Sequence, residues 1–144
     1  MNILMQTALS YLGTPYHFGG KSPVGGIDCS GFVSELLKGV ALIPWNTEIN
    51  AQGIHDEIIK NGRPDRWGLG ALAFYGSDVN HIDHVAFCLD QYRMVEAGGG
   101  DHLCLDVQTA ALHNACVRVR PIKFRRDFLM VVMPDYATIG IISP

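Results

Sequence analysis

Apolar residues in the first third of the chain recur at helical spacing. Ile3, Leu4, Ala8, Tyr11 and Leu12 line one face, and Gly13 followed by Pro15 supplies a stop, which predicts a first helix of about ten residues. A Gly-rich loop comes next. A second helix is predicted over 28–39, with Asp28 as N-cap and Phe32, Val33, Leu36 and Leu37 as its buried stripe. A third is predicted over 47–60, opened by a Thr47 cap and closed by Asn61-Gly62, with Ile54 and Ile58 facing inward.

After Trp67 the period shifts from that of a helix to that of a strand. Short runs rich in β-branched and aromatic residues at 71–75, 84–89, 93–97, 117–121 and 128–132 are separated by Gly, Asp and Asn. The segment 106–114 reads as a short helix or an ordered loop. Helices followed by strands give an α+β class, with a central antiparallel sheet packed on the second helix. The 144 residues, 48% of them hydrophobic, fit one domain over 1–144 with a full core.

Chemistry concentrates where the second helix begins. In Gly26-Ile27-Asp28-Cys29-Ser30-Gly31-Phe32-Val33 a polar loop gives way to the apolar stripe, so Cys29 falls on the first helical turn. A thiolate there is stabilised by unpaired backbone N–H groups and the helix dipole, and further by any imidazolium beside it. The base expected for it is His84, which opens the apolar run His84-Val85-Ala86-Phe87-Cys88-Leu89 of a central strand. Folding the next hairpin symmetrically about Asp90 sets Cys88 against Tyr92, Ala86 against Met94 and His84 against Glu96. Glu96 would then hold the imidazole in one tautomer and rotamer, leaving its other nitrogen for the thiol. His81-Ile82-Asp83-His84 can also be read as metal ligands, although residues three apart do not share a strand face. His17, His55, His102 and His113 read as surface or loop residues, with His17 and His102 near the cleft.

Composition narrows the partners. A net charge of −3 argues against nucleic acid or an anionic membrane as the main partner, since both demand a basic surface. The first twelve residues carry no Lys or Arg and read as neither signal peptide nor membrane span. Cys88, Cys104 and Cys116 form no C-x-x-C pair and read as reduced, small hydrophobes. The basic residues Arg118, Arg120, Lys123, Arg125 and Arg126 read as alternating charges on an exposed strand, or as a surface for anionic glycan.

Taken together, Tyr11-Leu12-Gly13-Thr14-Pro15-Tyr16-His17-Phe18-Gly19-Gly20, the Asp28-Cys29-Ser30-Gly31-Phe32 core and His84-Val85-Ala86 resemble the NlpC-type cell-wall peptidases, papain-like enzymes that cut peptidoglycan stem peptides. The resemblance implies a papain-like fold, with Cys29 as nucleophile, His84 as general base and Glu96 as third residue. It implies further that Tyr16 donates to the oxyanion together with the Cys29 N–H, and that Asp28 and Ser30 meet the stem peptide. Asp28 reads equally as the helix cap. Three positions depart from the usual pattern. Glu96 stands where the family usually has His, Asn or Gln, Ala71 where Gly-Asp-Leu is common, and Asp83, a further substrate-side candidate, where Ser often precedes the base.

The expected function is therefore a cysteine endopeptidase acting on γ-D-glutamyl-diamino acid bonds through a thioester, with no cofactor and no metal. Its partner would be the peptidoglycan peptide. The expected setting is synthesis in the cytoplasm and action at the bacterial cell wall after delivery by another system, such as a phage. A papain-like amidase or acyltransferase on another amide, and a wall-binding or virion module without catalysis, are the alternatives.

Overall fold

The structure is a computed structural model that describes residues 3–22, 26–100 and 103–139. The first helix, α1 (Ile3–Ser10), buries Leu4 and Ala8 and ends in a turn at Gly13, whose φ of 86° suits glycine. Two short strands, β1 (Lys21–Ser22) and β2 (Gly26–Ile27), pair antiparallel and deliver the chain to α2 (Cys29–Gly39). Asp28 caps α2 as expected, its carboxylate accepting from the Gly31 N–H at 2.7 Å.

The third helix is shorter than its sequence pattern predicts. α3 runs Ala51–Ile58 and is capped by Asn50, which accepts from the Gly53 N–H at 2.8 Å, so Thr47 lies outside it. Ile54 and Ile58 are buried as expected, but so is His55, which packs edge-on against Phe74 at 5.3 Å and is not a surface residue. Its imidazole fills the apolar face and reaches out to Asp56 at 2.9 Å.

Six strands form one antiparallel sheet in the order β3-β8-β4-β5-β6-β7: β3 (Arg63–Pro64), β4 (Leu72–Asp78), β5 (His81–Cys88), β6 (Arg93–Gly98), β7 (Cys116–Pro121) and β8 (Phe128–Met133). Between β6 and β7 lies α4 (Val107–Leu112), capped by Asp106. The class is α+β, as the sequence predicts.

Alternation along the strands gives the sheet two buried faces. Leu72, Phe74, Val85, Phe87 and Val95 pack with Leu4 of α1, the Phe32, Val33, Leu36 and Leu37 stripe of α2, and Ile54 of α3. The opposite face carries Ala71, Ala73, Tyr75, Ala86, Cys88, Met94 and Val131, closed by Ile122 from a 3-10 turn at Ile122–Phe124. This second core has one polar anchor, the Tyr75 hydroxyl, which donates to the Ile122 carbonyl at 2.7 Å and lies 3.0 Å from Met94 Sδ. Burial pushes the Tyr75 phenol well above the usual range, so it stays a donor.

Tyr75→Phe keeps the ring and leaves the Ile122 carbonyl buried without that donor. The variant should lose about 1–3 kcal/mol, read as a lower urea midpoint at unchanged m-value, while an unchanged midpoint would show that the hydroxyl is dispensable.

Candidate active site

Cys29 occupies the first position of α2, and the apolar stripe one turn later fixes that helix end against the sheet. Its sulfur lies 3.9 Å from the Asp83 carbonyl. That carbonyl is presented by a β-bulge: Tyr75 pairs with His84 and Gly76 with Ile82, so Asp83 is the extra residue on β5. Gly76 is required there, because a Cβ would collide with the His81 carbonyl. The bulge thus brings the first half of β5 to the start of α2.

His84 is 4% exposed and Glu96 2%, and His84 Nε2 meets Glu96 Oε2 at 2.8 Å. Cys29, His84 and Glu96 are brought together as the sequence predicts, but by a different register. β5 and β6 pair Phe87 with Val95 and Cys88 with Met94, two residues out of step with the symmetric hairpin. The cause is the turn. Asp90 accepts from the Tyr92 and Arg93 N–H groups at 2.8 and 2.7 Å, and Leu89 closes onto the Arg93 carbonyl, which centres the loop on Gln91. Counted along the strands, His84 then faces Gly98, and Glu96 is its diagonal neighbour on the same face. Such neighbours are about 7–8 Å apart, within reach of a long side chain. Gly98 makes the reach feasible, since a Cβ there would sit 2.9 Å from both Glu96 carboxylate oxygens.

Charge follows from this geometry. Burial disfavours imidazolium, but the Cys29 thiolate and then Glu96 outweigh it and push the His84 pKa up from 6.5 to about 9. Burial likewise opposes the Glu96 carboxylate, and the His84 hydrogen bond together with the His84, Arg118 and Arg120 charges overcomes it, so its pKa is lowered. With Nε2 donating to Glu96, Nδ1 is the nitrogen left for another partner.

The remaining candidates divide. Tyr16 is buried, bridges to Ile27 and lays its ring against Gly100, where any side chain would collide with it. Asp28 is saturated as a structural residue: beyond capping α2 it accepts from the Gly19 N–H at 2.8 Å and lies 3.3 Å from the Ser30 hydroxyl. Asp83 is exposed and pairs with Arg125 at 3.3 Å. Among the histidines, His81 is exposed and pairs with Asp78 at 2.9 Å, apart from buried His84. His17 is half-buried in the loop before β1, His113 is exposed at the end of α4, and His102 lies outside the described residues. Among the described residues no three His, Cys, Asp or Glu side chains are grouped to hold a metal.

Two residues read from the sequence as exposed strand charges belong to the site's surroundings. Arg118 stands directly across from Glu96 in the β6–β7 ladder, and Arg120 Nε is 3.9 Å from Glu96 Oε1. Strand alternation puts 118 and 120 on one face, and the β6–β7 register, which the sequence does not display, puts that face beside Glu96.

The NlpC/P60 family profile matches residues 13–124, most of the chain. The chain belongs to the NlpC/P60 family. It is 41% identical over 99 residues to dipeptidyl-peptidase 6 of Lysinibacillus sphaericus, covering 67% of this chain and 32% of that protein, so it spans about a third of that relative. The fold is the papain-like one of solved members. The NlpC/p60 domain of the peptidoglycan hydrolase SagA superposes with a TM-score of 0.63 at 23% identity, over 90% of this chain and 94% of that one. RipD of Mycobacterium tuberculosis, a non-catalytic NlpC/p60 protein adapted to peptidoglycan binding, superposes at 0.64 with 18% identity, over 92% and 95%. A peptidoglycan hydrolase and a non-catalytic NlpC/p60 protein therefore share this fold.

Two outcomes test the geometry. Gly98→Ala should displace the Glu96 carboxylate, leave the fold intact and slow Cys29 alkylation at neutral pH about tenfold or more; an alkylation rate equal to wild type would show that the diagonal approach is unimportant. The second concerns pH. Because the folded His84 pKa lies above its ordinary 6.5, its contribution to stability is complete below about 6.5 and is lost as pH rises through about 9. Glu96, with its pKa lowered, contributes above the ordinary carboxyl range and is lost on acidification. Glu96→Gln keeps an acceptor without charge, so the His84 ring, followed by NMR, should titrate at lower pH than in wild type. An unmoved titration would remove Glu96 as the orienter.

Proposed function

We propose that this chain is a cysteine peptidase that hydrolyses peptide bonds in peptidoglycan stem peptides, at γ-D-glutamyl-diamino acid linkages, in the bacterial cell wall. The observation that carries the reading is the buried 2.8 Å His84–Glu96 pair set against a cysteine on the first turn of a helix. A thiol, a base and a group that orients the base are the set that thioester chemistry uses, and this reading gives all three a role. Membership of the NlpC/P60 family and the identity to dipeptidyl-peptidase 6 support the substrate class.

The steps follow from the site. His84 Nδ1 takes the proton of Cys29, and the resulting thiolate attacks the scissile carbonyl carbon. The oxyanion that forms is met by the Cys29 N–H, whose first-turn position leaves it without an intrahelical acceptor, and by the Tyr16 hydroxyl. His84 then protonates the leaving amine, the C–N bond breaks, and an acyl-thioester remains. Water, deprotonated by the same nitrogen, releases the acid and restores the thiol. Throughout, Nε2–H stays on Glu96, which stabilises imidazolium while the proton is held. In this reading Asp83, exposed and with its backbone carbonyl beside the thiol, and Ser30 meet the stem peptide. Asp28 contributes by fixing the Gly19 loop to α2.

Cys29→Ala should lower release of muropeptide fragments from purified peptidoglycan, read by mass spectrometry, by roughly 10³-fold or more while the fold is retained by circular dichroism. In wild type a small alkylating reagent at pH 6 should label Cys29 first. Cys88 stays protonated, because burial and then Asp90 push its pKa up to about 12. Cleavage that survives Cys29→Ala and stops with a chelator would overturn the reading in favour of a metal site.

A further inference from the structure

Two cations stand behind the third residue of the triad with their inner nitrogens unused. The Nε atoms of Arg118 and Arg120 are both buried and lack a hydrogen-bond partner. Arg118 is held by its far end, NH1 donating to the Asn114 carbonyl at 2.8 Å, and Arg120 by its guanidinium lying 3.9 Å over the Phe124 ring. Burying a guanidinium nitrogen without a partner is unfavourable, so something must offset it. The group available is the Glu96 carboxylate. It lies across the ladder from Arg118, and its Oε1, the oxygen not used by His84, is 3.9 Å from Arg120 Nε.

Resting on the catalytic reading of Cys29, His84 and Glu96, we propose that Arg120, assisted by Arg118, is the counter-cation of Glu96 and acts as a positioning residue that sets the pH window in which the Cys29–His84 pair is armed. Neither arginine touches the thiol in this arrangement. They act through Glu96, holding it ionised in a site from which water is excluded and limiting how strongly it draws a proton onto His84. A carboxylate in the third position needs such a partner, because burial alone would protonate it. Other charges face the same centre. His84 comes from β5, Cys29 from α2 and Tyr75 from β4. Arg125, from the segment before β8, lies 5.4 Å over the Tyr75 ring and is already paired with Asp127 at 2.7 Å and Asp83 at 3.3 Å. Arg125 is held chiefly by those two carboxylates and Glu96 is the smallest of the charges acting on it, whereas Arg120 Nε comes within 3.9 Å of Glu96 Oε1.

The sign of the effect can be worked out. Removing the Arg120 charge makes Glu96 easier to protonate, so the acid limb moves up in pH. Where Glu96 is ionised, it also leaves the carboxylate to draw a proton onto His84 more strongly, so the basic limb moves up too. The window shifts as a whole. The readout is the rate of Cys29 alkylation by iodoacetamide from pH 4 to 10, which needs no knowledge of the peptide substrate, with peptidoglycan cleavage measured in parallel. Arg120→Gln should move the acid limb up by about half to one pH unit, Arg120→Lys should restore most of it, and Arg118→Gln should move it in the same direction. In a Glu96→Gln background, Arg120→Gln should leave the limb where it is. If Arg120→Gln does not fold, Arg118→Gln carries the test from the other side of the carboxylate. Folded variants whose limbs overlay wild type, or an equal shift with and without Glu96, would overturn the proposal, as would a wild type with no acid limb. Absence of peptidoglycan cleavage alongside the predicted alkylation shifts would sink the peptidase reading alone.

Discussion

A carboxylate and an imidazole buried together at 2.8 Å are the constraint around which this molecule is arranged. Neither charge is tolerable alone in a site of 2–4% exposure, so each requires the other and both require neighbours. From one direction the requirement is met by Cys29, whose thiolate is the larger of the two influences raising His84. From the other it is met by the β7 strand. The pair is therefore one link in a line from thiol through imidazole and carboxylate to guanidinium, laid across four elements of the fold.

The backbone devices that permit this line are small and local. The bulge at Asp83 delivers His84 and a carbonyl to the thiol, and it exists because Gly76 leaves room for the His81 carbonyl. The open space at Gly98 lets Glu96 lean diagonally onto His84. The Asp28 carboxylate serves the helix start and the Gly19 loop together, so the position of Cys29 and that of the loop carrying Tyr16 are not independent. Each device involves a backbone or side-chain contact outside the Cys29, His84 and Glu96 set, and each helps decide where one of those side chains lies.

Much of this was legible in the sequence and some of it was not, for identifiable reasons. The α2 cap, the strand alternation of His84, Ala86 and Cys88, and the meeting of Cys29, His84 and Glu96 could be read because they rest on periods of 3.6 and 2. The hairpin register could not, because it is decided by the Asp90 side chain capping its own turn; the reading survived because an offset of two keeps every side chain on its face. α3 begins at Asn50 in place of Thr47, since caps compete locally and Asn50 is the one that reaches Gly53. The second core was hidden because it is closed by Ile122, a single residue in a 3-10 turn with no period to display. His55 was misplaced for a related reason: a polar residue on a short helix looks solvent-facing until Phe74 is known to lie beneath it.

The role of the β7 arginines exposes the limit of residue-by-residue inference from a family pattern. Family resemblance carries the triad over one position at a time and notes that the third residue is a carboxylate where a neutral or basic side chain is usual. It does not register that the exchange changes the electrostatics of the next strand. An imidazole or amide at position 96 would leave the buried Nε atoms of Arg118 and Arg120 facing no carboxylate, whereas Glu96 without them would tend toward its protonated form. The three residues are therefore interpretable only as a set, joined by ladder register and a 3.9 Å approach, and the charge on the orienting residue in this protein is a property of the β6–β7 pair.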